Sequence, residues 1–329
     1  MIEHNGTRFP DLPEGTLEDR LSPAHYRHRL HIQTFHSAQL CHQGTTYVHF
    51  ENLDWLMTAL KFLLRVSGLH RRGLRNAQTF QVHRRETPVP ALPAPFDGFT
   101  VLHLSDLHID LSEGLLESLT PQLDTLEYDC CVITGDFRGF IAGTYRKTVE
   151  LTQRLLARLR APAYAILGNH DFIELVAPLE AAGLRFLLSE HVVLERAGAK
   201  LYLAGVDDPH FYQTDNFHRA SEGIPADGAS IVLSHSPETF LKGVACGFGL
   251  MLCGHTHGGQ ICLPGGIPVI RNGRCPYRMI QGAWNHGTMQ GYTSRGTGSS
   301  GVPVRFNCPP EIVIHVLRRE VSSPPSGRR

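Results

Sequence analysis

The sequence predicts an α/β fold whose strands are buried on both faces. Three features of residues 96–319 predict it. Short apolar runs at residues 99–104, 130–134, 164–167, 201–206, 231–233 and 250–253 have the length of strands and lack polar alternation, as strands covered on both sides do. Between the first three lie residues 115–126 and 148–159, with apolar positions at helical spacing, which implies βαβ units. Each run is followed by a small or polar residue and a potential ligand: Asp106 and His108, then Asp136, then Asn169, His170 and Asp171, then Asp207 and Asp208, then His235, then His255 and His257. Ligands in open α/β sheets bind beyond the carboxyl ends of the strands, so these six groups point to one site.

The first 48 residues hold many prolines, charges and histidines with weak periodicity and read as irregular or loosely packed. His25, His28 and His31 stand at helical spacing, where a zinc site is conceivable, but no cysteine pattern accompanies them and a solvated polar face is the plainer reading. Asn52 can cap a helix in which Leu53, Leu56, Met57, Leu60 and Leu64 form an apolar stripe, widened by Phe62, Leu63 and Val66 and ending near Gly68. Arg71, Arg72 and Arg75 follow. From Lys61 to Glu86 there are seven basic residues against one acidic, a local charge of +6. The stripe either packs on the main domain or lies in an anionic membrane surface, with residues 53–75 as the contact. Residues 87–95 are proline-rich and read as a stiff linker. The expected organisation is an N-terminal extension at 1–95, a catalytic domain at 96–319 and a disordered tail at 320–329.

Composition narrows the class. The 329 residues carry 31 basic and 31 acidic side chains, and a chain of zero net charge is a poor match for nucleic acid. Eight cysteines are scattered without a C-x-x-C pair, which reads as reduced thiols in a cytoplasmic protein. Residues 1–20 lack the apolar core of a secretory signal, and no stretch approaches the roughly 20 apolar residues that span a bilayer.

The segment Gly254 to Gln260, G-H-T-H-G-G-Q, presents two imidazoles on a glycine-rich turn. Alternating residues of an extended chain diverge, so the turn must curl, or each histidine must serve a different ion. By itself a His-X-His pair is also a common accident of loop composition. The full set of blocks, D-x-H, G-D, G-N-H-D, H and G-H-x-H, occurs here in order and closely resembles the calcineurin-like metallophosphoesterases. The resemblance spans residues 96 to about 319 and implies two mixed β-sheets packed as a sandwich and flanked by helices.

It also implies a ligand set. Asp106, His108 and His257 would hold one metal, Asn169, His235 and His255 the other, and Asp136 would bridge them. Oxygen and nitrogen donors suit Mn, Fe, Zn or Mg, with Mn favoured, and two such ions can generate a hydroxide nucleophile from a bridging water. His170 would be catalytic, stabilising charge or protonating the leaving oxygen, with Asp171 orienting it. Asp207 and Asp208 lie outside the blocks, and Asp-Asp-Pro is also ordinary turn chemistry. Arg295, in S-R-G, is a candidate substrate-binding guanidinium, the alternative being a glycine-rich surface hairpin. These later loops are similar to a branch containing bacterial membrane-associated phosphoesterases and UDP-2,3-diacylglucosamine hydrolases. The expected function is therefore hydrolysis of a phosphomonoester, phosphodiester or pyrophosphate, with a lipid-linked substrate and peripheral attachment at the inner face of the membrane in view. The alternatives are a nuclease of the same superfamily and a metal-bound interaction module without turnover.

Overall fold

The computed structural model describes residues 1–13, 15–38, 54–112, 114–140, 143–269 and 272–320. The expected cap at Asn52, the helix start at Leu53 and the tail from 321 lie outside them. The chain opens with a hairpin, β1 (Ile2–His4) and β2 (Thr7–Phe9), then helices α1 (Leu17–Arg20), α2 (Pro23–Ala38), α3 (Asp54–Val66) and α4 (Leu69–Ala77). Strand β3 (Gln81–Val89) precedes the βαβ series β4 (Thr100–Leu104), α5 (Leu115–Leu123), β5 (Cys130–Thr134), α6 (Arg146–Leu156), β6 (Ala163–Ile166) and β7 (Leu184–Phe186). Then come β8 (Glu190–Arg196), β9 (Ala199–Gly205), β10 (Ser230–Leu233), β11 (Leu250–Cys253), the small hairpin β12 (Cys262–Leu263) and β13 (Ile267–Pro268), β14 (Gly282–His286), β15 (Met289–Thr293) and β16 (Glu311–Arg319).

Two mixed sheets result, one of six strands in the order β3-β16-β4-β5-β6-β7 and one of eight in the order β1-β2-β8-β9-β10-β11-β15-β14. Strand alternation explains why they stack. Val101, Val132, Tyr164 and Ile166 point from the first sheet into a core shared with Leu201, Leu203, Ile231, Leu233, Leu250 and Leu252 of the second. Their neighbours Leu102, Leu104, Cys131 and Ile133 point outward onto Leu115, Leu119 and Leu123 of α5. Both faces of these strands are dry, which is why the sequence shows continuous apolar runs there. The sandwich expected from the resemblance is thus present.

The amino-terminal 95 residues contribute to both sheets. β2 pairs with β8, and β3 pairs with β16 over nine residues. The segment expected as a linker continues β3 to Val89, and Val89, Leu92 and Phe96 fill the inter-sheet core. Strands from both sides of the boundary expected at residue 96 therefore share one sheet. The apolar stripe of α3 is divided. Leu60 and Leu64 pack on Val302 and Val304, whereas Phe62, Leu63 and Val66 are more than 60% exposed.

Candidate metal centre

The loops after β4, β5 and β6 of one sheet and after β10 and β11 of the other meet at one edge of the sandwich. Asp106, His108, Asp136, His255 and His257 all have positive φ, between 39° and 71°. This left-handed backbone costs roughly 1 to 2 kcal/mol per non-glycine residue, and hydrogen bonds between loops hold it. Asp106 N–H donates to Gly135 O at 3.0 Å, His108 N–H to Asp136 O at 3.0 Å, and His255 N–H to the Asp106 carboxylate at 3.0 Å. The turn after β11 does curl, with Thr256 right-handed between two left-handed histidines, yet the two imidazoles still join different groups. Close approach fixes the glycines: a Cβ on Gly168 would lie 2.2 Å from Asp136 Oδ1, and one on Gly254 1.9 Å from Ser105 Oγ.

The donors form two groups. In the first, His108 Nε2 and His257 Nε2 face each other at 3.0 Å, with Asp106 Oδ1 3.4 Å from His257 Nε2. In the second, Asn169 Oδ1 lies 2.9 Å from His235 Nε2 and 2.9 Å from His255 Nδ1. Asp136 Oδ2 sits between the groups, 3.6 Å from His108 Nε2 and 3.4 Å from His235 Nε2. His108 Nδ1 donates to Arg138 O at 2.5 Å and His235 Nδ1 to Thr134 O at 2.7 Å. Both therefore turn Nε2 into the site, the usual arrangement behind a metal-binding imidazole. Except for Asn169, which is half-buried, these side chains are sealed from solvent. Convergent buried lone pairs of nitrogen and carboxylate oxygen are a donor set that fits divalent cations.

Burial and neighbouring charges move these groups in different directions, and Asp136, with Asp106 behind it, outweighs burial at His235 and raises that imidazole well above its ordinary value. Burial pushes the Asp106 carboxyl up to about 7 against the pull of His235. Burial also opposes charge on Asp136, but His235, His170 and His108 outweigh it and hold that carboxyl well below the usual range. His255 and His257 are driven well below ordinary imidazole values by burial, helped by His210 and His108 respectively. Neutral imidazole is the form that donates to a cation.

Several other predicted residues have partners the sequence did not suggest. The His170 ring is edge-on to His108 at 4.9 Å between centroids, beside the donors. The Asp171 carboxylate accepts N–H bonds from Asp136, Phe137, Arg138 and Gly168 at 2.7 to 3.1 Å. Those bonds clamp the loop that carries Asp136 and occupy the oxygens expected to orient His170. Arg295 is close to the Gly258 turn, but its guanidinium is paired with Glu311 at 2.9 Å and also meets His83. Asp208 is turn chemistry, accepting from the backbone of His210, Phe211 and Tyr212. Asp207 instead pairs with Arg29 and His25. His25 thus has a carboxylate partner, while His28 and His31 are exposed. Sequence reasoning missed Ser105, whose hydroxyl donates to Asp106 Oδ2 at 2.6 Å, and the buried Arg305, 3.3 Å from His257 Nδ1. Ser105 directly precedes the D-x-H block, so position alone could have flagged it. Arg305 opens the R-F-N-C-P-P-E segment, one of the later loops that carry the resemblance to the membrane-associated branch, but nothing local ties it to His257.

A two-sheet sandwich with imidazoles and carboxylates converging at its strand ends makes a candidate divalent-metal site. The chain belongs to the calcineurin-like phosphoesterase family, whose profile matches residues 99–259. It is 32% identical over 226 residues to the uncharacterized metallophosphoesterase YkoQ of Bacillus subtilis, covering 66% of this chain and 83% of that one. It is 30% identical over 233 residues to phosphodiesterase YaeI of Escherichia coli, covering 66% and 81%. A bovine transmembrane protein with metallophosphoesterase domain is 29% identical over 269 residues, covering 75% of this chain and 59% of its own length. Family membership implies divalent metal ions and phosphate-ester substrates. Among the described residues no helix is long and apolar enough to cross a membrane.

Proposed function

We propose that this protein is a two-metal phosphoesterase that hydrolyses a phosphomonoester, phosphodiester or pyrophosphate. The observation that carries this reading is Asp136, whose single carboxylate reaches toward both donor groups, at 3.6 Å and 3.4 Å. Asp106, His108 and His257 would hold one ion, and Asn169, His235 and His255 the other. When bound, such ions supply Lewis acidity toward phosphoryl oxygens and toward water. The protein's own part is to fix the donors and to present His170 as a proton donor for the leaving oxygen. Neutral Asn169 spares the site one negative charge where an anionic phosphate binds. The experiment is release of p-nitrophenol from p-nitrophenyl phosphate and its bis ester by chelated protein, with and without restored Mn²⁺. Metal-dependent release is expected, and absence of turnover on both esters overturns the reading.

The finer substrate class rests on α3 and its surroundings. Phe62, Leu63, Val66 and Leu69 are exposed by 42% to 71%, beside the exposed Arg65, Arg71, Arg72 and Arg75. The β12–β13 hairpin, which follows the His257 turn directly, adds Leu263, Ile267 and Val269 at 53% to 58% exposure. Its first neighbour Ile261 packs on the cluster that seats α3. This face suits peripheral contact with an anionic bilayer and a lipid-linked phosphate ester or pyrophosphate as substrate. The full chain is expected to sediment with phosphatidylglycerol vesicles, less so as salt screens the arginines. The exposed triple variant Phe62→Ser, Leu63→Ser, Val66→Ser should lose at least about tenfold in binding, since each buried apolar side chain is worth about 1.5 to 3 kcal/mol. Equal sedimentation of the two proteins, or no binding at low salt, overturns membrane contact.

A further inference from the structure

Three residues of α2, His25, Arg29 and Gln33, are spaced four apart and share one helical face. That face is polar, yet it is the face turned inward. Arg29 is 0% exposed. Its guanidinium lies over the Tyr212 ring at 3.9 Å, bonds Asp207 Oδ1 at 2.5 Å and donates to the main-chain oxygen of Asp171 at 3.0 Å. His25 meets the other oxygen of Asp207 at 2.8 Å. Gln33 accepts from Ile173 N–H at 3.1 Å and donates to Glu174 at 2.7 Å.

The loop these contacts reach is the one that carries Asn169 and His170. It has no ladder of its own, so side chains satisfy its backbone. Arg138, stacked on Phe172 at 3.5 Å, donates to His170 O at 3.3 Å from one side, and Arg29 donates to Asp171 O from the other. A buried guanidinium must be paired to be tolerated, and its rigid fork matches a carboxylate and a carbonyl together. Asp207 stays ionised for it: burial opposes the charge, but Arg29 outweighs burial and draws that carboxyl down to about 2.

We infer that α2 is a strap supplied by the amino-terminal segment, and that Arg29 is a positioning residue which holds the loop of Asn169 and His170 in register with the other donors. The metal consequence rests on the phosphoesterase reading above; the mechanical one does not. The strap ties Asp171 to Asp207, and so joins the loop after β6 in one sheet to the loop after β9 in the other. It completes the site from outside the residues that the family profile matches.

Two variants separate positioning from mere support. Arg29→Met leaves the buried Asp207 without its guanidinium, with His25 and Thr214 still on its other oxygen, and should lower both Tm and loop order. Arg29→Met with Asp207→Asn removes both charges together and should recover much of the Tm, because a neutral replacement of a buried pair is often tolerated. It cannot recover the bond to Asp171 O. Amide exchange of the peptide spanning 168–175 is therefore expected to rise at least about tenfold in both variants. Mn²⁺ affinity of the full chain should fall about 10- to 100-fold in both, as loss of an outer-shell support commonly does. Exchange and metal affinity that return to wild type in the double variant along with Tm would overturn the inference, leaving Arg29 a structural ion pair. If neither variant folds, Gln33→Leu carries the test, with faster exchange at 168–175 expected and unchanged exchange overturning it. Failure of the wild type to hydrolyse any phosphate ester would defeat the functional reading and leave the exchange result standing.

Discussion

Replacing Asp136 with asparagine is expected to lower kcat/KM by at least about 100-fold and to reduce occupancy at both metal positions at once. Losing one outer-shell support costs 10- to 100-fold in metal affinity, and here a carboxylate shared between two donor groups would be lost. His170→Ala is the companion experiment. It should leave both metals bound and lower kcat by about 10²- to 10⁴-fold, the usual worth of a positioned proton donor. Metal analysis by mass spectrometry decides. A stripped His170 variant beside a fully loaded Asp136 variant would reverse the two assignments.

The second large effect is on folding. A chain beginning at residue 96 is expected to be insoluble or unfolded. It lacks β3, which pairs with β16 over nine residues, and Val89 and Leu92, which fill the space between the sheets. Each of those apolar side chains is worth about 1.5 to 3 kcal/mol. It also leaves Asp207 buried without Arg29, and breaking a buried pair costs about 3 to 5 kcal/mol. Together these losses match the whole stability of an ordinary domain, about 5 to 15 kcal/mol. Far-ultraviolet circular dichroism and thermal unfolding of the truncated and full chains provide the check. A cooperative transition at the full-length Tm would mean that residues 1–95 are a dispensable extension.

The βαβ core and the candidate donor residues were legible because their signals are local. Apolar runs such as residues 130–134 are short and uninterrupted, and each donor stands within a few residues of a strand end. Helix α2 was illegible for the opposite reason. It buries Arg29 and Gln33 where a helix ordinarily buries leucine, and Tyr26 and Leu30, which do pack on the core, make too short an apolar stripe to mark the inner face. Strand β3 shows a similar disguise: Arg84 is exposed and Arg85 partly so, and only its last residues are buried, so its first half read as a basic flank. Asp171 and Arg295 were recognised as important side chains, but their partners were not. The four amides that Asp171 holds come from the loops after β5 and β6, and Glu311 lies sixteen residues beyond Arg295. Such pairings exist only once the two sheets have met.

Neither donor group belongs to a single sheet. Asp106 and His108 come from the loop after β4, and Asn169 from that after β6, whereas His235, His255 and His257 follow β10 and β11. A cation in either group would act as a rivet across the seam of the sandwich. Anything that binds only the assembled form stabilises it by mass action, by about 4 kcal/mol when its concentration is 1,000 times its dissociation constant. The ions that would activate the substrate would then also resist sliding of one sheet over the other, and metal supply would set how long the protein survives as well as how fast it works.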